Sequence, residues 1–203
     1  MKSVPKSEST RKFIIEATSG LFNKRGYAGT ALSDLTEATQ LSKGSIYGNF
    51  ENKEAVALAV FQYNLSLIQQ LINSRMSLYT SAKDQLMAHA QVYHSFEQTP
   101  FPEGGCPLLN TAVEADDTNE VLRVSAAEGL ENWKNRISKL IERGKEEGEF
   151  RADVNVKDSA TTIIALLEGG MMMSKVSRSP EVMDVLVQAI KDFIRRMSNT
   201  SIE

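Results

Sequence analysis

Two short helical segments joined by a tight turn, within residues 31–50, constrain the fold of this chain more than any other feature. The first follows Thr30, a good N-cap residue, and runs through Ala38, and the second spans about Lys43 to Phe50. Two helices of about two turns each cannot bury their apolar faces alone. They need the preceding helix, predicted at 10–25, and the long helix that follows. This spacing predicts a helix-turn-helix unit in a small helical head.

The rest of the chain repeats helical spacing and has no strand pattern. Apolar and polar residues do not alternate over a long run, and no Asn-Gly or Asp-Gly hairpin turn occurs. Further helices are predicted from Asn52 to about Leu78 and near 82–98, 107–115, 119–147, 156–176 and 180–197. We therefore predict an all-α fold of about nine helices. Residues 1–53 would form the helix-turn-helix head and residues 54–203 a larger helical body.

Charge is distributed unevenly along the chain. The formal net charge of the 203 residues is −3, but residues 1–53 hold eight Lys and Arg against five Asp and Glu. A basic head on an acidic body indicates a polyanion-binding module attached to a part that binds no polyanion. The longest dense apolar run, 163–167, is too short to cross a membrane, and the N-terminus has no apolar signal segment. We expect a cytoplasmic protein that does not contact a membrane.

The second short helix has an unusual composition for a purely structural element. Glycines at positions 44 and 48 allow its backbone to approach a surface closely, and Lys43, Ser45, Tyr47 and Asn49 carry hydrogen-bond donors. Such donors suit phosphate oxygens and base edges. The alternative is a glycine-weakened helix inside an ordinary bundle, and the residue types alone leave both interpretations open.

A longer set of residues surrounds this helix at fixed spacing. It consists of Lys24-Arg25-Gly26-Tyr27, Gly29-Thr30, Leu32-Ser33-Asp34-Leu35, Leu41 to Phe50 and Asn52-Lys53-Glu54-Ala55. This set resembles the DNA-binding head of the TetR family of repressors over about 30 ungapped residues. The resemblance implies a homodimer that binds a near-palindromic operator in double-stranded DNA. It also implies that residues 1–53 are the DNA-binding domain and residues 54–203 the domain for effector binding and dimerisation.

The resemblance also implies a role for individual residues. Thr30 would cap the first short helix and touch a phosphate; Lys43, Gly44 and Ser45 would open the recognition helix in the major groove; Tyr47 and Lys53 would each meet a phosphate; and Gly48 and Asn49 would follow near the bases. Three positions depart from the family pattern. Gln40 replaces the usual turn glycine, Gly48-Asn49 replaces a bulkier pair and so changes or reduces base contacts, and Glu51 places an acid near the phosphate path.

The last two helices carry apolar residues on more than one face, which indicates burial on two sides. These residues are Ala160, Ile163, Ile164, Leu166, Leu167, Val182, Val185, Leu186, Ile190 and Phe193. The family resemblance implies that the two helices form a four-helix bundle with their copies in a second subunit. The alternative is that both helices are simply core.

An effector pocket is expected in the body, lined by Tyr93, Phe96, Trp133 and Met172. The only cysteine, Cys106, stands just before Pro107 at a predicted helix start, where the helix dipole favours a thiolate. Lys175 is its candidate cationic partner. The Gly-Cys pair and residues 174–179 also resemble the NemR-type branch of the family, which responds to electrophiles and chlorine. A packed, inert cysteine is the alternative.

No motif for catalysis, metal binding or cofactor binding is found, so we expect no enzyme activity, no metal and no cofactor. The predicted function is that of a transcriptional repressor, released from its operator by a small hydrophobic or electrophilic effector. A repressor that senses redox state or electrophiles through Cys106 is the main alternative. An architectural DNA-binding protein is a more remote alternative, because such a protein would be basic throughout.

Overall fold

The structure, a computed structural model, describes residues 6–98 and 100–199. Within these ranges it is all-α, as predicted, and contains nine helices: α1 (Lys6–Arg25), α2 (Leu32–Thr39), α3 (Lys43–Tyr47), α4 (Lys53–Met76), α5 (Ala82–His94), α6 (Pro107–Ala115), α7 (Glu120–Glu146), α8 (Val156–Ser177) and α9 (Glu181–Met197). Most predicted helix bounds agree with these to within a few residues. The exceptions are α3, which ends before Phe50, and α5, which ends before residue 98.

The chain forms two compact units, each drawn from two stretches of sequence. The first contains the residues up to Ile68 and Pro102–Glu128, and the second contains Gln69–Phe101 and the residues from Gly129 onward. The first unit thus adds α6 and parts of α4 and α7 to the three N-terminal helices. This division differs from the predicted boundary after residue 53, which remains a prediction about functional domains.

The core of the first unit fixes the helix-turn-helix in place. Ile14 of α1, Leu35 of α2, Ile46 of α3 and Val56 of α4 are all fully buried in one cluster, and Phe50 joins it at 3% exposure. Each short helix therefore contributes one large side chain that three other helices cover. Burial of such a side chain stabilises the fold by about 1.5–3 kcal/mol, which short helices cannot obtain alone.

The buried face of α1 consists of Ile14, Thr18 and Phe22, whereas the adjacent Phe13 is 46% exposed. The Thr18 hydroxyl donates a 2.7 Å hydrogen bond to the Ile14 carbonyl oxygen. The buried hydroxyl is therefore satisfied and avoids the free-energy penalty of an unpaired polar group in the core.

Helix α4 is the one helix in the described part of the chain whose length and composition alone would allow it to cross a membrane. Its buried residues recur with helical spacing on one face, and its other face carries polar residues such as Gln62, Gln70 and Asn73. This is the pattern of an amphipathic helix packed in a protein core.

In the second unit, α5, α8 and α9 pack around fully buried aliphatic side chains, among them Leu86, Ile163, Leu167 and Ile190. Gly170 of α8 lies so close to Leu186 of α9 that a Cβ atom there would overlap the leucine side chain. The glycine thus allows close packing between α8 and α9 within one chain.

The turn between α2 and α3 contains a strained residue. Gln40, the C-cap of α2, has φ 56° and ψ 22°, in the left-handed region that glycine favours. The predicted non-glycine turn is therefore confirmed. Its side chain compensates in part, because Nε2 donates a 2.7 Å hydrogen bond to the Glu37 carbonyl oxygen.

Replacing Gln40 with Gly should raise the free energy of unfolding by about 0.5–1 kcal/mol, because the backbone strain is relieved. Gln40→Ala keeps the strained Cβ and loses the side-chain hydrogen bond, so it should not stabilise the protein. Urea unfolding of both variants measures the difference. Equal stabilities of the Gly and Ala variants would contradict the strain at this position.

Candidate DNA-binding surface and effector region

The first turn of helix α3 is exposed to solvent, while a buried residue later in the helix anchors it. Ser42 caps the helix, since its Oγ accepts a 3.1 Å hydrogen bond from the backbone N–H of Ser45. Ile46, on the opposite side, is completely buried. Lys43 and Gly44 are therefore held rigidly at the exposed end of the helix.

The exposed side of α3 leaves room for another surface to approach. A Cβ atom at Gly44 would meet only the Ser42 Oγ, at 3.9 Å. Ser45 and Tyr47 are half-buried, and the Lys43 Nζ lies 5.9 Å from the centre of the Tyr47 ring. Of the predicted contact residues, Lys43 and Gly44 are thus exposed, and Ser45 and Tyr47 are partly exposed.

Helix α3 ends earlier than predicted, and the residues that follow it contact Arg11 of α1. Gly48 is the C-cap, and the Asn49 Nδ2 donates a 2.9 Å hydrogen bond back to the Ser45 carbonyl oxygen. Arg11 then donates to the Asn49 carbonyl oxygen at 2.7 Å, and its guanidinium lies 4.0 Å from the centre of the Phe50 ring. Arg11 was not predicted as a site residue, because nothing in its spacing connects it to residues 38 positions later.

Thr30 does not have the predicted capping role. The N-cap of α2 is Ala31, and the carboxylate of Asp34 accepts a 2.7 Å hydrogen bond from the Ala31 backbone N–H. Thr30 is fully buried, and its hydroxyl donates to the Gly26 carbonyl oxygen at 2.7 Å. The side chain therefore stabilises the turn before α2 and is not available to a phosphate in this conformation.

Lys53 is also engaged within the head. Its Nζ donates to the carbonyl oxygens of Tyr27 and Thr30, at 2.8 and 2.9 Å, and lies 4.1 Å from the centre of the Tyr27 ring. An ammonium group has three N–H donors, so one remains for another acceptor. The phosphate contact of Lys53 stays a prediction, and its contact with the turn is an additional role.

Glu114, near the end of α6, holds the same turn from the other side. Its carboxylate oxygens accept hydrogen bonds from the backbone N–H groups of Tyr27 and Ala28, at 2.8 and 2.9 Å. Gly26 has φ 73°, and a Cβ atom there would overlap the Glu114 carboxylate. No local pattern could have identified Glu114, which lies 87 residues from its partner in sequence.

The loop before α6 is tied to α1 by buried amides. The Asn23 Nδ2 donates to the carbonyl oxygens of Glu103 and Gly105, at 2.7 and 2.8 Å. Asn110 of α6 donates in turn to the Asn23 carbonyl oxygen at 3.0 Å. Both ends of α6 are thus attached to α1 or to the turn that follows it.

Cys106 is the N-cap of α6, and Pro107 takes the first helical position, as predicted. The cysteine is buried, with 1% exposure. Lys175, in the last turn of α8, is exposed. The two residues lie in different units, and their pairing remains a prediction.

Three of the four predicted pocket residues come together in an aromatic cluster of the second unit. Tyr93 stacks on Trp133 with 5.4 Å between ring centres, and Phe101 packs edge-on against both Tyr93 and Phe96. The Tyr93 hydroxyl donates to a carboxylate oxygen of Glu168 at 3.1 Å.

The fourth predicted pocket residue, Met172, is 50% exposed on α8, and no described contact joins it to the aromatic cluster. His89 of α5 is 1% exposed and accepts a 3.1 Å hydrogen bond at Nδ1 from the Trp133 indole N–H. Burial, and secondarily the charge of Arg136, lower the pKa of His89 to about 3, so it is neutral at physiological pH.

Comparison with known proteins places both halves of the chain. Residues 14–60 match the model described as "Bacterial regulatory proteins, tetR family", and residues 82–190 match "Tetracyclin repressor-like, C-terminal domain". The transcriptional repressor DhaR of Mycobacterium sp. strain GP1 is 30% identical, over 94% of this chain and 97% of its own length. The repressor NemR of Escherichia coli K12 is 25% identical, over 91% and 94%.

A solved structure agrees with the same assignment. The crystal structure of a TetR-family transcriptional regulator from Cytophaga hutchinsonii has a TM-score of 0.93 and 42% sequence identity, covering 98% of this chain and 100% of that chain.

Glu114→Ala should lower the free energy of unfolding by about 1–2 kcal/mol, because two backbone N–H groups lose a charged acceptor at a half-buried site. Glu114→Gln keeps one acceptor oxygen and should lose about half as much. Denaturant unfolding measures both, with the exposed neighbour Asp116→Ala as the control. If Glu114→Ala and Asp116→Ala proved equally stable, Glu114 would not hold the turn.

Proposed function

The chain belongs to the TetR family of bacterial regulatory proteins, and we propose that it is a repressor that a small-molecule effector releases from its operator. It is a DNA-binding transcriptional regulator, and its family consists of regulators, not enzymes. The observation that carries the proposal is the setting of α3. Its first residues, Lys43 and Gly44, are exposed, and Ile46 is completely buried and anchors the helix. We also propose a cytoplasmic location, because a regulator of this kind has to reach its operator DNA. That two relatives of nearly equal length are named repressors supports repression rather than activation.

We place the first turn of α3 in the major groove of the operator. A recognition helix of this kind contacts base edges with its N-terminal residues. Ser45 is the base-contacting residue of the proposal, because a hydroxyl both donates and accepts. Tyr47 is the phosphate contact, and the open space at Gly44 allows the DNA backbone to approach.

Two variants separate these roles. Tyr47→Phe removes only a hydroxyl, so it should weaken binding to the selected operator and to unrelated DNA by similar factors. Ser45→Ala should weaken operator binding and leave unrelated DNA nearly unchanged. Fluorescence anisotropy with both duplexes, at one salt concentration, gives the four affinities. A Ser45→Ala variant that lost equal affinity for both duplexes would remove Ser45 from base reading.

We also propose that α8 and α9 form the dimer interface. Met172, Met173 and Val176 on α8 and Val185 on α9 are exposed, at 50%, 45%, 83% and 68%. Four large apolar side chains exposed on two packed helices are costly in a monomer, and a second copy of the same pair would cover them. This leaves the inner faces as core and the outer faces as interface, so both sequence interpretations apply to different sides of the helices.

Val176→Glu and Val185→Glu should each convert the dimer to a monomer at micromolar concentration, because each introduces a charge into an apolar interface. Operator affinity should fall as dimerisation is lost. Leu78→Glu is the matched control, since Leu78 is equally exposed, at 69%, but lies outside these helices. Sedimentation equilibrium measures the mass, and a dimer of unchanged stability in both variants would place the interface elsewhere.

The proposed effector site lies in the second unit, on α5. A cavity of about 310 Å³ lies beside this helix, and Leu71, Leu78 and Val92 supply its apolar lining. This volume is within the range of small-molecule pockets. On other positions of α5, Tyr93 and His89 contact Trp133. Ser74, Arg75 and Ser95 supply the polar lining of the cavity, and its apolar half supports a small hydrophobic effector that binds without covalent chemistry.

Covalent sensing by Cys106 is the second candidate function. The position of this cysteine at the start of α6 supports the sensing role in one respect. The residue begins the same helix whose other end holds the turn before α2 through Glu114. A bulky group on the thiol would displace the start of α6. Against this, the side chain is 1% exposed and so is poorly accessible to reagents.

Treatment of the protein–operator complex with N-ethylmaleimide or hypochlorite distinguishes the two functions. Under the noncovalent proposal, wild type and Cys106→Ser should respond alike. Release of DNA from the wild type only, measured by anisotropy, would make Cys106 the sensor. With no second cysteine in the chain, a reversible oxidised form would be a sulfenic acid or its adduct.

A further inference from the structure

His89 carries a buried donor that no described residue satisfies. Its Nδ1 accepts the hydrogen bond from the Trp133 indole, which can only donate. The single hydrogen of the neutral imidazole is therefore on Nε2. Among the residues that the structure describes, none accepts a hydrogen bond from this atom, which is fully buried. A buried, unpaired donor is unfavourable unless something else supplies the acceptor.

The imidazole cannot adapt by changing its charge. A pKa of about 3 keeps it neutral at every pH at which the protein would act, and burial is the main cause. The Trp133 bond fixes both the tautomer and the orientation of the ring. Nε2–H is thus a permanent, oriented, uncharged donor, which suits a neutral acceptor.

The surroundings of this donor are aromatic. Trp133 lies nearly parallel to His89, with ring centres 6.3 Å apart and an angle of 17° between the planes. Tyr93 in turn stacks on Trp133, with an angle of 20° between the two ring planes. Two parallel ring pairs offer flat, apolar faces that match a planar aromatic molecule.

The charges around the cluster are of both signs. Arg136 acts on His89, and it is engaged by a hydrogen bond to the Asn73 side chain. On another side, the carboxylate of Glu168 accepts the hydrogen bond of Tyr93. One cation and one anion provide no net charge that would favour an ionic ligand.

We infer that the effector reaches the aromatic cluster of α5, that His89 is its hydrogen-bond donor there, and that the effector is an uncharged aromatic compound with a carbonyl or similar acceptor oxygen. The inference rests on the proposed function and specifies its ligand class. An ordered water on Nε2 is the competing explanation, and it would leave no preference for an acceptor on the ligand.

The test uses the full-length protein and three probes of similar size: acetophenone, ethylbenzene, which lacks the acceptor, and benzoate, which is charged. Trp133 is the only tryptophan in the chain, so its fluorescence reports on this site, and calorimetry provides a second readout. Acetophenone should bind with a Kd about tenfold lower than that of ethylbenzene, because only acetophenone pairs with Nε2–H. Benzoate should bind more weakly than acetophenone.

Two variants locate the preference at His89. His89→Phe keeps an aromatic ring but no donor, so the two uncharged probes should bind within about twofold of each other. His89→Gln retains a donor and an acceptor and should restore part of the difference. Equal affinities of the two probes for the wild type, no saturable binding of acetophenone, tighter binding of benzoate, or an undiminished preference in His89→Phe would each overturn the inference.

Operator binding by the same preparations keeps this test separate from that of the proposed function. If wild type and His89→Phe both bind the selected operator and acetophenone shows no preference, only the ligand class is wrong. If the wild type selects no operator, the proposed function itself fails, whatever the probes do.

Discussion

The turn between α1 and α2 is the constraint on which the rest of the head depends. Its backbone must reverse direction within a few residues, and several of its N–H and C=O groups lie outside the hydrogen-bond pattern of the two helices. Glu114 accepts two of its N–H groups and Lys53 donates to two of its carbonyl oxygens. A carboxylate from α6 and an ammonium from α4 therefore satisfy the turn from outside. Because α2 and α3 follow directly, a displacement of α6 would alter the position of the recognition helix.

The second unit differs from the head in where it leaves polar groups unsatisfied. In the head, buried polar side chains such as Thr18, Asn23 and Thr30 have hydrogen-bond partners within the fold. In the second unit, the Nε2 of His89 has none in the described part of the chain, although the residue is buried among aromatic rings. A rigid head and a body with an unfilled hydrogen-bonding position suit a protein that holds DNA with one part and responds to a ligand with the other.

Local patterns predicted the helices well, but they could not predict contacts between distant residues. Capping residues, breaks that contain glycine or proline, and the spacing of apolar positions predicted all nine of the described helices, because those signals act within a few residues. Thr30 shows the limit: its residue type suits a cap, yet the preceding turn buries it and Ala31 takes that position. Glu114, Arg11 and the buried His89 depend on tertiary packing, and their spacing carries no sign of it. Phe13 and Ile14 are adjacent and both apolar, so only the packing of α1 decides which is buried.

The central claim is that α3 lies in the major groove of the operator, once in each half-site. Its most direct test is DNA cleavage by an iron chelate attached to Gln40→Cys in a Cys106→Ser background, which provides one attachment point beside the helix. We predict two cleavage centres in the major groove, related by the operator dyad and about 34–36 Å or somewhat more apart. Cleavage spread evenly along the duplex, or centred in the minor groove, would contradict the claim.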